Sequence, residues 1–217
     1  MKSTSPVSGK EYNFDESKKD NNLNKFIESN NNKKIIAVQG LGFVGTVMSL
    51  VIANNDLDNY AVIGIDLKNK NSYWKIADIN EGNLPIQSSD PLVDEYFQKT
   101  KQKDNFYATH DNSAFSSADV IIVDINLDVK KSLVDNKTGK ISYDVPLSSF
   151  SRAIDNIGNY CKQDALILVE TTVPPGTCKK IVEPAIIKGL KSRGLPTNEF
   201  KLGHSYERVM PGPNYIN

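Results

Sequence analysis

Three glycines and one acid carry the clearest chemistry in the chain. Gly40, Gly42 and Gly45 fall at G-x-G-x-x-G spacing directly after the apolar run Ile35-Ile36-Ala37-Val38, and Asp66 closes a second apolar run, Ala61-Val62-Ile63-Gly64-Ile65. That acid stands about 20 residues past the last glycine, the separation of a dinucleotide-binding βαβ unit. Each position has a physical job. Gly40 permits a tight turn out of the strand, Gly42 lets the backbone approach a pyrophosphate, and Gly45 lets the next helix pack on the sheet. A helix opening at Phe43 aims its N–H groups and the positive end of its dipole at phosphates. Gly40, Leu41, Gly42, Phe43, Val44 and Gly45 are therefore expected to bind the cofactor. Asp66 is expected to accept the ribose hydroxyls. Its charge would repel a 2′-phosphate, so the pattern points to NAD over NADP.

The elements that must position these groups follow from the apolar periodicity. Strands are expected over Lys33–Gln39, Tyr60–Asp66, Asn105–Thr109, Asp119–Ile125, Ala165–Glu170 and Lys201–Ser205. Helices are expected over Phe43–Asn54, Asn69–Asn80, Pro91–Thr100, Val145–Tyr160 and Cys178–Arg193, with Asp90 or Ser89 capping the third and Pro184 kinking the last or starting a new segment. Strand and helix alternate, so the fold class is α/β: a mostly parallel, doubly wound, Rossmann-like sheet in a single domain. Residues 126–143 read as a long polar loop with a small hairpin within it, turning at Asn136-Lys137-Thr138-Gly139-Lys140. Residues 1–32 are polar and end in Asn30-Asn31-Asn32; they read as a mobile leader, either a disordered tail or a segment with one short helix around Asp15–Glu28 that could dock on the domain, ahead of a domain over 33–217.

Composition narrows the classes. The 26 basic and 26 acidic side chains balance, which gives no argument for a nucleic-acid or membrane-surface partner. No apolar run approaches a membrane span, the N-terminus lacks the apolar stretch of a signal peptide, and Cys161 and Cys178 lack metal-ligand spacing. A cytoplasmic protein with no metal site is the plain expectation. Cys161 reads as structural. Cys178, near a helix N-terminus where a thiol pKa can fall, reads as a packing residue before a nucleophile. His110 and His204 have no acid or nucleophile nearby in sequence, and read as core or rim histidines.

Two later segments also follow strands directly: Thr171-Thr172-Val173-Pro174-Pro175-Gly176-Thr177 and Glu207-Arg208-Val209-Met210-Pro211-Gly212. In an open α/β sheet, ligands bind at the carboxyl ends of the strands, so both segments are expected to meet the glycine loop at one crevice. Together with Gly64-Ile65-Asp66, Gly82-Asn83-Leu84-Pro85-Ile86 and Ala118-Asp119-Val120-Ile121-Ile122, these colinear pieces resemble the N-terminal domain of the UDP-glucose/GDP-mannose dehydrogenase family from about Lys33 onward. Glu170 before the threonine pair and Arg208 after Glu207 look like the branch acting on N-acetylated sugars, UDP-N-acetylmannosamine or UDP-N-acetylglucosamine.

The resemblance implies an NAD-dependent oxidoreductase. The family oxidises the C6 hydroxymethyl of a nucleotide sugar to a carboxylate in two steps, each reducing one NAD, with a cysteine thiolate capturing the aldehyde. It implies that Thr172 sits by the nicotinamide and positions a water or the reacting oxygen. It also implies that Glu207 orients water or assists proton transfer, and that Glu207 and Arg208 meet the substrate. The family's catalytic cysteine, lysine and asparagine lie in later segments that this chain does not contain. The chain is therefore expected to be the NAD-binding half of a longer enzyme, inactive on a UDP-sugar by itself and forming a homo-oligomer through a segment outside it. Another β-hydroxyacid-type dehydrogenase and a non-catalytic nucleotide-sensing domain are the alternatives.

The chain also departs from the family pattern. Asp124-Ile125-Asn126 stands where the family strand ends in P-T-P, which puts adenosine-side contacts in doubt. Asp124 and Asp128 each read first as solvated loop carboxylates. Gln87-Ser88 replaces the frequent Glu-Pro, and Tyr206 the usual proline before the glutamate.

Overall fold

The computed structural model describes residues 1–217 except 58, 128–129, 135–137, 139–140, 208–211, 214–215 and 217. After two short N-terminal strands, β1 (Lys2–Thr4) and β2 (Glu11–Asn13), and helix α1 (Leu23–Ser29), the sheet begins with β3 (Lys34–Gln39), α2 (Phe43–Ala53) and β4 (Tyr60–Ile65). Helices α3 (Tyr73–Asn80) and α4 (Pro91–Lys103) lead to β5 (Phe106–Thr109), and a 3₁₀ turn over Asn112–Ser116 leads to β6 (Val120–Val123). A hairpin of β7 (Lys130–Val134) and β8 (Ile141–Asp144) precedes α5 (Ser148–Tyr160) and β9 (Leu166–Val169). A π-helical turn over Cys178–Val182 then runs into α6 (Glu183–Ser192), and β10 (Lys201–His204) follows.

Six of these strands form one parallel sheet in the order β10-β9-β6-β3-β4-β5. The chain winds outward from β3 through β4 to β5, then returns to the other side of β3 and winds outward through β6, β9 and β10. The reversal leaves a gap between the β3 and β6 loops at the carboxyl ends, where doubly wound sheets bind ligands. Apolar residues occupy both faces of the central strands because both faces are covered. On β3, Ile35 and Ala37 join the core beneath α1, α5 and α6, with Phe150, Ile154, Ile157, Ile186 and Leu190. Ile36 and Val38 face the opposite layer with Ala53, Val62 and Ile122. Val47 and Leu50 of α2 meet Val93 and Phe97 of α4 on that side.

Local signals explain several boundaries. Asp90 caps α4 by accepting the Leu92 N–H at 2.9 Å. Pro184 lies in the first turn of α6, directly after the π-helical turn, so the expected long helix changes type there while its backbone stays helical. The hairpin expected within 126–143 is present as an antiparallel pair.

Of its two readings, a disordered tail and a docked one, the N-terminal segment takes the docked arrangement. Besides α1, whose Leu23 and Phe26 are buried in the main core, it forms the antiparallel β1-β2 pair. The anchor is Asp78 of α3, fully buried, which accepts hydrogen bonds from Ser5 Oγ at 2.5 Å, Ser8 Oγ at 2.9 Å and the Tyr12 hydroxyl at 2.5 Å. Burial and the Asp78 carboxylate push the Tyr12 phenol well above its ordinary value. Polar composition hid the residues that fasten the segment, which are hydroxyls rather than an apolar stripe. Among the described residues, no helix is long and apolar enough to cross a membrane.

Candidate functional site

The glycine loop lies at the β3/β6 gap. Gly40 has φ +108°, and a Cβ there would fall 1.9 Å from the Asp124 carbonyl oxygen, so the two loops pass too closely for any side chain. A Cβ on Gly45 would fall 2.0 Å from the Gly40 carbonyl oxygen, so the helix packs directly on the turn. Gly42 is different. It caps α2 with extended backbone and no side-chain hydrogen bond, and a Cβ on it would meet nothing within 4 Å. The space in front of the helix terminus is therefore open and lined by backbone, which fits a pyrophosphate.

Asp66 follows β4 beside this loop. Its Oδ2 accepts the Leu41 N–H at 3.1 Å and the Lys75 ammonium at 2.8 Å, and its Oδ1 accepts the Leu67 N–H at 2.7 Å. A carboxylate offers about four acceptor positions, so roughly one, on Oδ1, remains for a ribose hydroxyl. Accepting both hydroxyls, as the sequence leads one to expect, requires Lys75 to give up its place. The residues present fit the adenosine ribose and pyrophosphate of NAD, with Lys75 a participant that sequence spacing did not reveal.

A second set of groups gathers at the ends of β6, β9 and β10. Asp124, Ile125, Asn126, Leu127, Glu170, Thr171, Thr172 and Glu207 surround a cavity of about 230 Å³. Thr171 is buried and ties the strands together: its Oγ1 donates to the Val123 carbonyl at 3.2 Å and accepts the Ile125 N–H at 2.7 Å. Thr172 is exposed at the rim, and its hydroxyl has no partner among the described residues, which leaves it open to a ligand. The Glu207 N–H donates to the Glu170 carbonyl at 3.2 Å, holding the Glu207 segment against β9. Arg208, expected at the substrate, lies outside the described residues, as does Asp128.

Glu170 and Asp124 are the site groups that sequence reasoning undervalued. Glu170 is only 7% exposed, and its Oε2 has no hydrogen-bond partner among the described residues. Burial, then the charges of Asp124 and Glu207, push its carboxyl up to about 7. Asp124 is half-buried rather than solvated. Burial and Glu207 push it up to about 6, against the Gly45 backbone N–H, which favours the ionised form. The available signal was positional: each acid directly follows the last residue of a buried strand.

The cysteines and histidines stand apart from this chemistry. Cys161 is buried with its thiol pushed up by burial, and burial also pushes up Cys178, so the helix start does not activate it. His204 is an exposed rim residue, its ring 6.0 Å from that of Tyr206. His110 borders a larger cavity of about 670 Å³ between the N-terminal segment and β5, lined also by Phe14, Lys18, Lys19, Tyr73 and Tyr107. Size alone would favour that cavity. Its acids are already engaged, however: Asp20 accepts from Tyr107 and Thr109, and Asp15 from Ser17. Among the described residues, no cluster of His, Cys, Asp and Glu could hold a metal ion.

Comparison with known proteins bears on the family and the fold. The profile of the UDP-glucose/GDP-mannose dehydrogenase family, NAD binding domain, matches residues 34–216. A UDP-N-acetyl-D-mannosamine dehydrogenase of Pyrococcus horikoshii is 28% identical over 178 residues, covering 82% of this chain and 37% of the relative. A UDP-glucose 6-dehydrogenase of Rickettsia conorii is 29% identical over 160 residues, covering 73% of this chain and 32% of the relative. The crystal structure of an NDP-N-acetyl-D-galactosaminuronic acid dehydrogenase from Methanosarcina mazei superposes with a TM-score of 0.71 at 26% identity, covering 88% of this chain and 38% of that one. This chain thus spans about a third of the length of these relatives.

Proposed function

The chain belongs to the UDP-glucose/GDP-mannose dehydrogenase family as an NAD binding domain, and from that premise we propose that it is the cofactor-binding part of an enzyme oxidising the C6 hydroxymethyl of a UDP-sugar. One observation carries the reading: the open, backbone-lined space before α2 lies beside Asp66 on one side and the Thr172–Glu207 cavity on the other. Bound NAD would supply the hydride acceptor. The Gly42 turn and the first turn of α2 hold the pyrophosphate, and Asp66 orients the adenosine ribose. The Thr172 hydroxyl positions the reacting oxygen. Glu207 orients water or moves a proton, and Glu207 and Arg208 contact the sugar nucleotide. Glu170 titrates near neutrality beside them, so it can hold or release a proton within the same cavity.

The substrate class we favour is a UDP-N-acetylhexosamine. Support comes from Glu170 and Arg208 in the sequence pattern and from the name of the Pyrococcus horikoshii relative. Neither cysteine of this chain suits capture of an aldehyde, so turnover is assigned to the longer enzyme. The test is calorimetric titration of the chain with NAD, repeated on Gly42→Glu. That side chain enters open space, so folding is retained, while its bulk and charge occupy the pyrophosphate position. Binding to the unaltered chain and loss in the variant support the reading. Equal binding to both removes the glycine loop from the site.

A further inference from the structure

The cavity of about 670 Å³ plays no part in the cofactor reading. Neither the glycine turn nor Asp66 lines it, and none of the groups around Glu170 does. Most of its lining falls within residues 13–22, ahead of the family match that begins at residue 34. That stretch is fastened to the edge of the sheet. Asp20 accepts the Tyr107 hydroxyl at 2.8 Å, Thr109 Oγ1 at 2.6 Å and the Asn22 N–H at 3.0 Å, and Lys68 Nζ donates to the Lys18 carbonyl. The docked segment and β5 therefore enclose a preformed cleft of the size that small-molecule sites have.

Two kinds of surface meet in it. Phe14, Tyr73 and Tyr107 supply aromatic rings, and Ile76 an aliphatic contact. The rings are fixed before any ligand arrives: Phe14 and Tyr73 lie 4.8 Å apart, and Tyr107 stacks on Phe26 at 5.4 Å. Lys18, Lys19 and Lys68 supply charge. Among the described residues, none of the three has a carboxylate within ion-pair distance. The two aspartates of the cleft are turned to the protein itself, Asp20 as above and Asp15 by accepting the Ser17 N–H and hydroxyl at 2.9 and 2.8 Å. Burial, then the Lys68 ammonium, holds the His110 imidazole below its ordinary value, so near neutral pH it offers hydrogen bonds rather than charge.

We propose that this cleft is a second nucleotide site that takes a nucleoside monophosphate, with the base against the rings of Phe14, Tyr73 and Tyr107 and the phosphate on Lys18, Lys19 and Lys68. A phosphate monoester carries about −1.5 to −2 charge at neutral pH, which suits lysines that lack a counter-charge. The phosphates of NAD are diesters with a single charge each, so NAD is not the ligand these lysines favour. Inorganic phosphate would occupy the cationic end and leave the rings uncovered. The site belongs to the docked segment, so it stands or falls separately from the NAD reading.

The test is calorimetric titration of the whole chain with AMP and with UMP, beside inorganic phosphate, adenosine and uridine. Stacking on aromatic rings tolerates any base, so one purine and one pyrimidine cover the class. The monophosphate that binds better is expected to bind at least about tenfold more tightly than inorganic phosphate or its own nucleoside. Saturating NAD should leave that affinity unchanged. Lys18→Gln with Lys19→Gln, both exposed and outside the Asp20 anchor, should weaken binding about tenfold or more. Lys188→Gln with Lys191→Gln removes the same charge from the exposed side of α6 and should leave binding as it was. Absence of binding by both monophosphates, an equal loss in the two double variants, or displacement by NAD would overturn the proposal. Inorganic phosphate binding as tightly as the monophosphates would overturn it as well, since the rings would then contribute nothing.

Discussion

The two halves of the sheet treat their carboxylates in opposite ways. On the β4 side, Asp66 is supplied with three donors before any ligand arrives. On the β6, β9 and β10 side, Asp124, Glu170 and Glu207 crowd one another, and Glu170 Oε2 has no partner among the described residues. An acid held by three donors is a fixed acceptor that reads shape. Crowded, poorly solvated acids respond to protons and to whatever charge is brought near them. Under the proposed function, one half recognises the cofactor and the other lies where bonds would change.

The contrast can be broken at its hinge, where the largest effect is expected. Gly40→Val would drive a side chain into the Asp124 carbonyl at positive φ. We expect a loss of more than about 3 kcal/mol and loss of NAD binding, measured by denaturant melts and titration. Asp78→Ala tests the support of the recognising half. It strands the buried hydroxyls of Ser5 and Tyr12, releases that of the exposed Ser8, and should cost about 2–4 kcal/mol, with early proteolysis within residues 1–22. An unchanged melt would mean that the N-terminal segment docks by other means.

The reacting half should reveal itself through pH. The folded protein raises Asp124 to about 6 and Glu170 to about 7, whereas unfolded carboxyls titrate near pH 4, at about the ordinary value. Between those limits the folded state binds more protons than the unfolded one, so these two groups lower stability as pH rises through the window, fully so above about pH 7. Glu170→Gln should flatten that slope and raise the melting temperature at pH 8 by a few degrees, about 1 kcal/mol. A slope unchanged by the substitution would place the shift elsewhere. The smallest effect sharpens the comparison inside one dipeptide. Thr171→Val should cost about 1–2 kcal/mol, because it leaves the Ile125 N–H unmet, while Thr172→Val should stay within about 0.5 kcal/mol.

The recognising half was also the more legible in the sequence. Gly40, Gly42, Gly45 and Asp66, proposed to bind the cofactor, would act through local backbone geometry at fixed spacing, which chain order alone displays. Apolar periodicity likewise gave the parallel sheet, and Pro184 marked where the π-helical turn gives way to α6. Lys75, Glu170 and Asp124 were not legible as a site in the same way. A lysine becomes an Asp66 partner only when α3 is laid beside β4. A carboxylate becomes a proton-binding group only when the β6 and β9 ends shut out water around it. Ser5, Ser8 and Tyr12 were hidden for a related reason, since hydroxyls that dock on one buried acid leave no pattern of hydrophobicity.

The central claim is that NAD lies across the β3/β6 gap with its pyrophosphate at the glycine turn. Backbone amide shifts followed by NMR during NAD addition test it most directly. The account predicts that the largest changes fall on Leu41, Phe43, Val44 and Leu67, with smaller ones at Thr171 and Thr172. Changes concentrated instead on residues 13–22, Tyr107 and His110, around the larger cavity, would contradict it.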